Sequence, residues 1–190
     1  MKNASLLNET ELLLRLQCND EQALALLMHF YYSDLYNYAR KFTRDDILIK
    51  DCIQEMFISL WQRRETATNI LSPRYYFLRA IKNKMLKSLY KNRNIDFILP
   101  PDATDSYYEF SLEQIIIEKQ ISEEKTQKLK KILLKLSRKQ KEIVYLKYYQ
   151  DLDHAQIAEL MNLSRQSVYN LLHEAIHRLR NLLKTDFITR

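Results

Sequence analysis

Apolar residues recur at intervals of three and four along most of this 190-residue chain. Such spacing places apolar side chains on one face of an α-helix, so that each helix can bury that face against its neighbours. The pattern predicts helices over residues 8–17, 20–42, 46–64, 73–92, 112–136, 138–150, 154–161 and 165–183. An all-α fold is therefore expected.

Helix start signals support several of these boundaries. In a capping box, the side chains at the helix start and three residues later each bond the backbone N–H of the other residue. Three pairs have this spacing, namely Asn19 with Gln22, Ser137 with Gln140, and Asp153 with Gln156. A fourth signal is Ser72 followed by Pro73, because proline suits the first helical position.

The composition agrees with helices and excludes several kinds of site. The chain has no glycine and three prolines, so it lacks the residue that tight hairpin turns and phosphate-cradling loops require. A P-loop and a dinucleotide-binding fingerprint are thereby excluded. Cys18 and Cys52 lack the spacing of a zinc site, and no cofactor, metal or disulfide is expected. No stretch is long and uncharged enough to span a bilayer, so we expect a cytoplasmic protein without membrane insertion.

The charge divides the chain into three parts. Residues 1–94 carry 15 basic and 10 acidic side chains, residues 95–122 carry 1 and 6, and residues 123–190 carry 14 and 8. The acidic middle part also holds two adjacent prolines that interrupt any helical period. We therefore predict two small helical domains, 1–94 and 123–190, joined by an acidic linker, 95–122. Basic domains suggest a polyanion as partner, although solubilising lysines explain the charge equally well.

The segment 153–180 has the spacing of a helix-turn-helix. Ile157, Ala158, Leu163, Val168, Leu171, Leu172, Ala175 and Leu179 are its predicted core. Ser164 can cap the second helix, whose opposite face carries Arg165, Gln166, Tyr169, Asn170 and His173. Arginine, glutamine and asparagine match the donors and acceptors of base edges, while Ser167 and Arg178 can reach phosphates. The alternative is a solvent-facing polar helix in a three-helix bundle.

The same helix contains His173-Glu174-Ala175-Ile176-His177, which matches the H-E-x-x-H pattern of zinc proteases. Two histidines at i and i+4 can share a metal, but a catalytic zinc site needs a third protein ligand. Only Asp186 could serve among the 13 residues that follow His177, and the glycine of the extended pattern is missing. A zinc protease is therefore a weak alternative.

Two further surfaces are predicted in the first domain. The helix 46–64 places Ile49, Ile53, Met56, Phe57 and Leu60 on one face and Asp51, Gln54, Glu55, Ile58 and Gln62 on the other. A charged face with an exposed isoleucine suggests a partner helix, although an ordinary solvated face would look the same.

The helix 73–92 interleaves cations with aromatic rings, including Arg74, Tyr75, Tyr76, Lys82, Lys84 and Lys91. Cations neutralise phosphates, and rings offer faces on which unpaired bases stack. Phe77, Leu78, Ile81, Met85 and Leu89 are the predicted core of this helix. An amphipathic basic helix on a membrane surface is the alternative, which the absence of a lipidation signal disfavours.

Taken in order, four segments resemble successive regions of the extracytoplasmic-function sigma factors of the sigma-70 family. They are DCIQEMFISLW, the basic-aromatic helix with its Asn83, LSRKQKEIVYLKYYQDLDHAQIAELMNLS and RQSVYNLLHEAIHRLR, which together extend over most of residues 10–184. The recognition helix is most similar to that of the short sigma factors of Bacteroidetes-type bacteria.

The resemblance implies a non-catalytic protein with a sigma region 2 helical bundle and a sigma region 4 helix-turn-helix. Asp51, Gln54, Glu55 and Ile58 would dock on a coiled coil of the largest subunits of core RNA polymerase. Arg74, Tyr75, Tyr76, Lys82, Asn83, Lys84 and Lys91 would engage the minus-10 promoter element and help to open it. Arg165, Gln166, Ser167, Tyr169, Asn170, His173 and Arg178 would contact the minus-35 element.

The resemblance also implies which partners the chain has. The acidic linker would thread toward the RNA exit path of the polymerase. Relatives are often held by a membrane-anchored anti-sigma factor, which makes such a factor a candidate partner, and no small-molecule substrate is expected. A stand-alone helix-turn-helix regulator remains the main alternative, and it would bind duplex DNA unaided.

Overall fold

The computed structural model describes the backbone of residues 2–92, 132–133 and 135–188, and the side chains of residues 9–91, 132–133 and 135–182. All regular structure within these ranges is helical, as predicted. The chain divides into two compact units, Met1–Glu109 and Phe110–Arg190. The predicted acidic linker lies outside the described residues, so the domain boundaries at 94 and 123 remain predictions. No helix in the described ranges has the length and apolar character that crossing a membrane requires.

The described part of the first unit is a helical bundle. Its helices are α1 (Lys2–Gln17), α2 (Glu21–Ala39), α3 (Asp46–Gln62) and α4 (Pro73–Asn92), with a 3-10 turn at Arg64–Asn69. Helix α2 packs against the other three helices, and α3 also packs against α4. The centre of the bundle therefore lies around α2.

Three aromatic rings from three helices meet in this core. The ring centroid of Phe77 on α4 lies 4.6 Å from that of Tyr31 on α2 and 5.6 Å from that of Phe57 on α3. All three side chains are buried. Burying a large apolar side chain stabilises a fold by about 1.5–3 kcal/mol. The contacts between these rings therefore stabilise the packing of the three helices against one another.

The second unit is built on two helix pairs. Its described elements are α5 (Arg138–Val144), a π-helical turn (Tyr145–Tyr149), α6 (His154–Met161) and α7 (Arg165–Ile188). Helix α7 packs against both α5 and α6. The buried apolar side chains of these elements include Ile143, Leu146, Ile157, Val168 and Ala175. Leu179 packs further along α7 against the buried Leu133 and Leu136.

Two of the predicted capping boxes are confirmed. Ser137 Oγ accepts from the backbone N–H of Gln140 at 3.3 Å, and the Gln140 side chain accepts from the N–H of Ser137 at 3.1 Å. Asp153 and Gln156 make the same exchange at 2.8 and 3.0 Å. Helix α4 also begins at Pro73, as the Ser-Pro signal predicts.

The predicted cap at Asn19 is wrong, because Asp20 caps α2 instead. Its Oδ1 accepts from the backbone N–H of Gln22 at 2.9 Å and of Ala23 at 3.3 Å. Asn19 has a φ of 64°, a left-handed conformation that asparagine tolerates well. The Arg15 guanidinium, 2.8 Å from the Asp20 carboxylate, lowers the pKa of Asp20 through their hydrogen bond.

Several predicted helix boundaries also differ from the structure. Helix α1 begins earlier and α7 continues further than the periodicity indicates, while α2 ends at Ala39 and α3 at Gln62. The predicted helix 138–150 widens into the π-helical turn, where the N–H of Gln150 bonds the carbonyl of Tyr145 at 3.0 Å. The buried side chain of Gln150 donates to Tyr145 Oη at 2.7 Å. This internal hydrogen bond gives the buried Gln150 amide a partner.

Candidate functional site

Helix α3 presents one buried and one exposed face, as its sequence predicts. Ile49, Ile53, Met56, Phe57 and Leu60 are all buried. Asp51, Gln54, Glu55, Ile58 and Gln62 are all exposed. We call Asp51, Gln54, Glu55 and Ile58 the α3 surface. Ile58 is 47% exposed among carboxylate and amide groups, which makes this surface suitable for a partner helix with both apolar and basic side chains.

A salt bridge connects the α3 surface to α4. Lys84 Nζ lies 3.1 Å from Glu55 Oε2 and 3.4 Å from Ser59 Oγ. The hydroxyl of Ser59 donates to the backbone carbonyl of Glu55 at 2.7 Å. Glu55 and Lys84 were predicted to lie on different surfaces, and Ser59 on neither. Their contact forms across two helices, so helical spacing within one segment could not reveal it.

The predicted promoter-contacting residues of α4 fall into two groups. Asn83 and Lys91 are exposed, and Lys82 is half-buried. Tyr75 and Tyr76 are half-buried near the start of α4, where the Arg79 guanidinium lies 6.0 Å from the Tyr75 ring. Asn83 and Lys91 are therefore available to phosphates, whereas Lys82 and both tyrosines are partly covered.

Arg74 is engaged inside the first unit. Its Nε lies 3.9 Å from Glu9 Oε1 on α1, and its guanidinium lies 5.9 Å from the centroid of the Phe30 ring. Glu9 is buried. The burial of Tyr31 is the larger cause that raises the pKa of Tyr31 well above its usual range, and the negative charge of Glu9 raises it further. Sequence periodicity did not identify Glu9 as a partner of Arg74. The contact gives Arg74 a structural role besides the predicted contact with DNA.

The second unit contains a helix-turn-helix formed by α6 and α7. Helix α6 ends at Met161, and its C-terminal cap residue Asn162 has a φ of 53°. The N–H of Leu163 bonds the carbonyl of Ala158 at 2.9 Å. Ser164 then caps α7 by accepting from the N–H of Ser167 at 3.0 Å, as predicted. The left-handed end of α6 and the serine cap of α7 together form a compact turn. The turn brings Val168, which is buried, against the buried side chains of α6.

The outer face of α7 is polar. Its exposed residues include Arg165, Gln166, Ser167, Tyr169, Asn170, His173 and Arg178, which we call the α7 surface. Gln166 Nε2 donates to Asn170 Oδ1 at 3.0 Å, so these two amides are aligned along the helix. The ring of Tyr169 stacks on that of His154, the first residue of α6, with centroids 4.2 Å apart. His154 was not among the predicted site residues.

The histidine pair of the protease-like motif lies on the same helix. The rings of His173 and His177 have centroids 6.4 Å apart, and His177 Nδ1 lies 3.3 Å from Asn181 Nδ2. In the described part of the chain, no three His, Cys, Asp or Glu side chains form a group that could hold a metal ion. The motif therefore receives no support as a zinc site from the described residues.

Comparison with known proteins identifies the family. The model of Sigma-70 region 2 matches residues 27–95, and the model of Sigma-70, region 4 matches residues 126–179. Together these matches cover more than half of the chain, which therefore belongs to the sigma-70 family. The presence of region 2 and region 4 in one short chain agrees with the predicted extracytoplasmic-function type. The finer resemblance to Bacteroidetes-type factors stays a prediction.

Other comparisons give a more distant similarity. No curated protein matches the chain significantly. A solved structure of CnrH in complex with the cytosolic domain of CnrY is 19% identical, covering 94% of this chain and 98% of that chain with a TM-score of 0.49. The family assignment thus depends on the two sigma regions.

Proposed function

We propose that this chain is an alternative sigma factor that binds core RNA polymerase and directs promoter-specific initiation of transcription. The observation that supports this proposal is the presence of both sigma regions on one chain, each with an exposed surface of suitable chemistry. Such a protein catalyses no reaction itself and acts in the cytoplasm, where polymerase and promoters are found. An anti-sigma factor remains a candidate partner.

Each surface has a role in this proposal. The α3 surface docks on a coiled coil of the largest polymerase subunits, with Ile58 as the apolar contact and Asp51 and Glu55 as partners for basic side chains. Helix α4 engages the minus-10 element through its cations and rings. The α7 surface reads the minus-35 element in the major groove, because the N-terminal residues of a second helix in a helix-turn-helix reach base edges.

The α3 surface provides the decisive test. We expect the triple variant Asp51→Ala, Gln54→Ala and Glu55→Ala to lose co-purification with core polymerase. The folded structure should persist, because exposed substitutions seldom change stability by more than about 0.5 kcal/mol each. The ion pair that is lost, Glu55–Lys84, lies at the surface with Lys84 half-buried, and surface ion pairs are worth about 0–1 kcal/mol. Circular dichroism and the melting temperature check that the fold is retained.

A matched control carries the same chemistry elsewhere in the first unit. Glu11, Glu21 and Gln22 are likewise two carboxylates and one amide, all exposed, on α1 and α2. Their triple alanine variant should bind polymerase as the wild type does. The α3 assignment is wrong if the Asp51/Gln54/Glu55 variant also competes normally for core polymerase. Tight binding of promoter duplex by the free chain, without polymerase, would favour the stand-alone regulator instead.

A further inference from the structure

The two helices of the helix-turn-helix are joined on their exposed side by a pair of aromatic rings. His154 and Tyr169 lie with their ring planes 18° apart and their centroids at 4.2 Å, which is a face-to-face stack. Tyr169 is nevertheless 53% exposed, so a substantial part of its surface stays open to solvent. The pair therefore belongs to the outer face of α7 rather than to the core.

Each residue of this stack directly follows a residue that is held in place by the fold. His154 follows Asp153, whose capping box with Gln156 holds the first turn of α6. Tyr169 follows Val168, which is fully buried. The backbone on each side is thus held in place, and the stack adds an orientation for the Tyr169 side chain, which would otherwise rotate freely as an exposed side chain does.

We infer that His154 is a positioning residue that holds the Tyr169 ring in the orientation in which it reads one base pair of the promoter. This inference rests on the proposed function, in which the α7 surface enters the major groove. The Tyr169 ring offers an apolar edge for a thymine methyl group and a hydroxyl for a base donor or acceptor. A ring that is already oriented loses less conformational freedom on binding, so the protein discriminates more strongly at that base pair.

A purely structural role for His154 predicts a different result. If the stack only held α6 against α7, its loss would lower the melting temperature and weaken binding to all promoters equally. A positioning role instead affects one promoter position, the same position that Tyr169 affects. The two roles can therefore be separated by measuring sequence preference and stability on the same variants.

The experiment measures transcription by the complete holoenzyme from a promoter library with a randomised minus-35 region. Tyr169→Ala should change the preference at one base pair. His154→Ala should reduce the preference at that same base pair by about two- to tenfold, the range expected when one side chain loses its preorganisation. His154→Phe, which keeps a ring that can stack, should restore it. The double variant His154→Ala/Tyr169→Ala should match Tyr169→Ala alone, because without Tyr169 there is nothing to position.

Two controls keep the outcomes distinguishable. Tyr148, another exposed tyrosine of the second unit, should leave the preference profile unchanged when replaced by alanine. Arg165→Ala and Asn170→Ala test the proposed function itself, because they should shift the preference at their own positions. The positioning role is overturned if the Arg165 and Asn170 variants shift the sequence preference and His154→Ala does not. It is also overturned if His154→Ala lowers transcription equally on all promoter sequences. If no α7 variant shifts any preference, the proposed reading surface fails as well.

Discussion

At the residue scale, the most unusual environment is that of Glu9. Its side chain is 4% exposed and lies 3.9 Å from the Arg74 guanidinium, which is 29% exposed. No described residue forms a hydrogen bond of normal geometry with the Glu9 carboxylate oxygens or the Tyr31 hydroxyl. A carboxylate in such a place depends on its nearby cation, because removing the partner leaves an uncompensated charge.

Arg74→Ala should therefore lower the free energy of unfolding of the first unit by about 1–3 kcal/mol, which urea denaturation can measure. Adding Glu9→Gln should recover part of this loss, because a neutral amide tolerates burial better than a carboxylate. Arg79→Ala, at an exposed position of the same helix, serves as the matched control and should cost less than about 0.5 kcal/mol. Equal stability of Arg74→Ala and wild type would show that the pair has no structural role.

At the scale of the element, α4 combines a core face with a cationic face. Phe77, Ile81 and Met85 are fully buried, whereas Arg79, Lys87 and Lys91 are exposed. Lys84 belongs to neither group, because it pairs with Glu55 on α3. Neutralising Lys84 would thus disturb the proposed polymerase surface as well as the promoter surface, and a clean test of α4 leaves it in place.

The variant Lys82→Gln/Lys91→Gln should keep its affinity for core polymerase but form open complexes less well. The salt dependence of promoter binding should become shallower, with a slope reduced by about 0.7–0.9 for each lost phosphate contact. The reduction in promoter affinity should accordingly be largest at low salt. Premelted promoter DNA should restore any part of open-complex formation that was lost because the strands opened less well.

The matched control for this experiment is Arg40→Gln/Lys50→Gln. Both residues are exposed cations of the first unit outside α4, and the variant carries the same change of net charge. We expect it to open promoters as the wild type does. An equal reduction of open-complex formation in both variants would mean that overall charge, rather than Lys82 and Lys91 on α4, supports promoter opening.

At the scale of the whole molecule, the chain divides into two compact units, and each has its own buried side chains. Tyr31, Ile53 and Phe77 belong to the first core, and Leu146 and Ile157 to the second. Folding units with separate cores are stabilised by separate sets of contacts, and they can lose their structure independently.

Denaturation should therefore show two transitions. The single tryptophan, Trp61, lies in the first unit, so its fluorescence reports on that unit alone, whereas circular dichroism reports on both. Alkylation of Cys52 is a second probe of the first unit, because the buried thiol has a pKa raised by desolvation and should react only after unfolding. Cys18 is exposed and serves as the control that reacts before unfolding. Coincidence of all these transitions would contradict independent units.

Features that depend on neighbours along the chain could be predicted without the tertiary structure. The starts of α6 and α7 follow from Asp153 and Ser164, because caps act on N–H groups three residues away. Helix α4 starts at Pro73, because proline suits the first helical position. The buried and exposed faces of α3 follow from the helical period, which relates residues three and four apart. The same period placed the polar face of α7 on the outside.

Which side chains from different elements meet depends on how the helices pack in three dimensions. Glu55 with Lys84, Glu9 with Arg74, and His154 with Tyr169 are separated in the chain by 15 to 65 positions. Sequence periodicity specifies which face of a helix is buried, but not the angle and register at which two helices pack. Pairs that depend on that packing, including the proposed support for Tyr169, therefore become visible only in three dimensions.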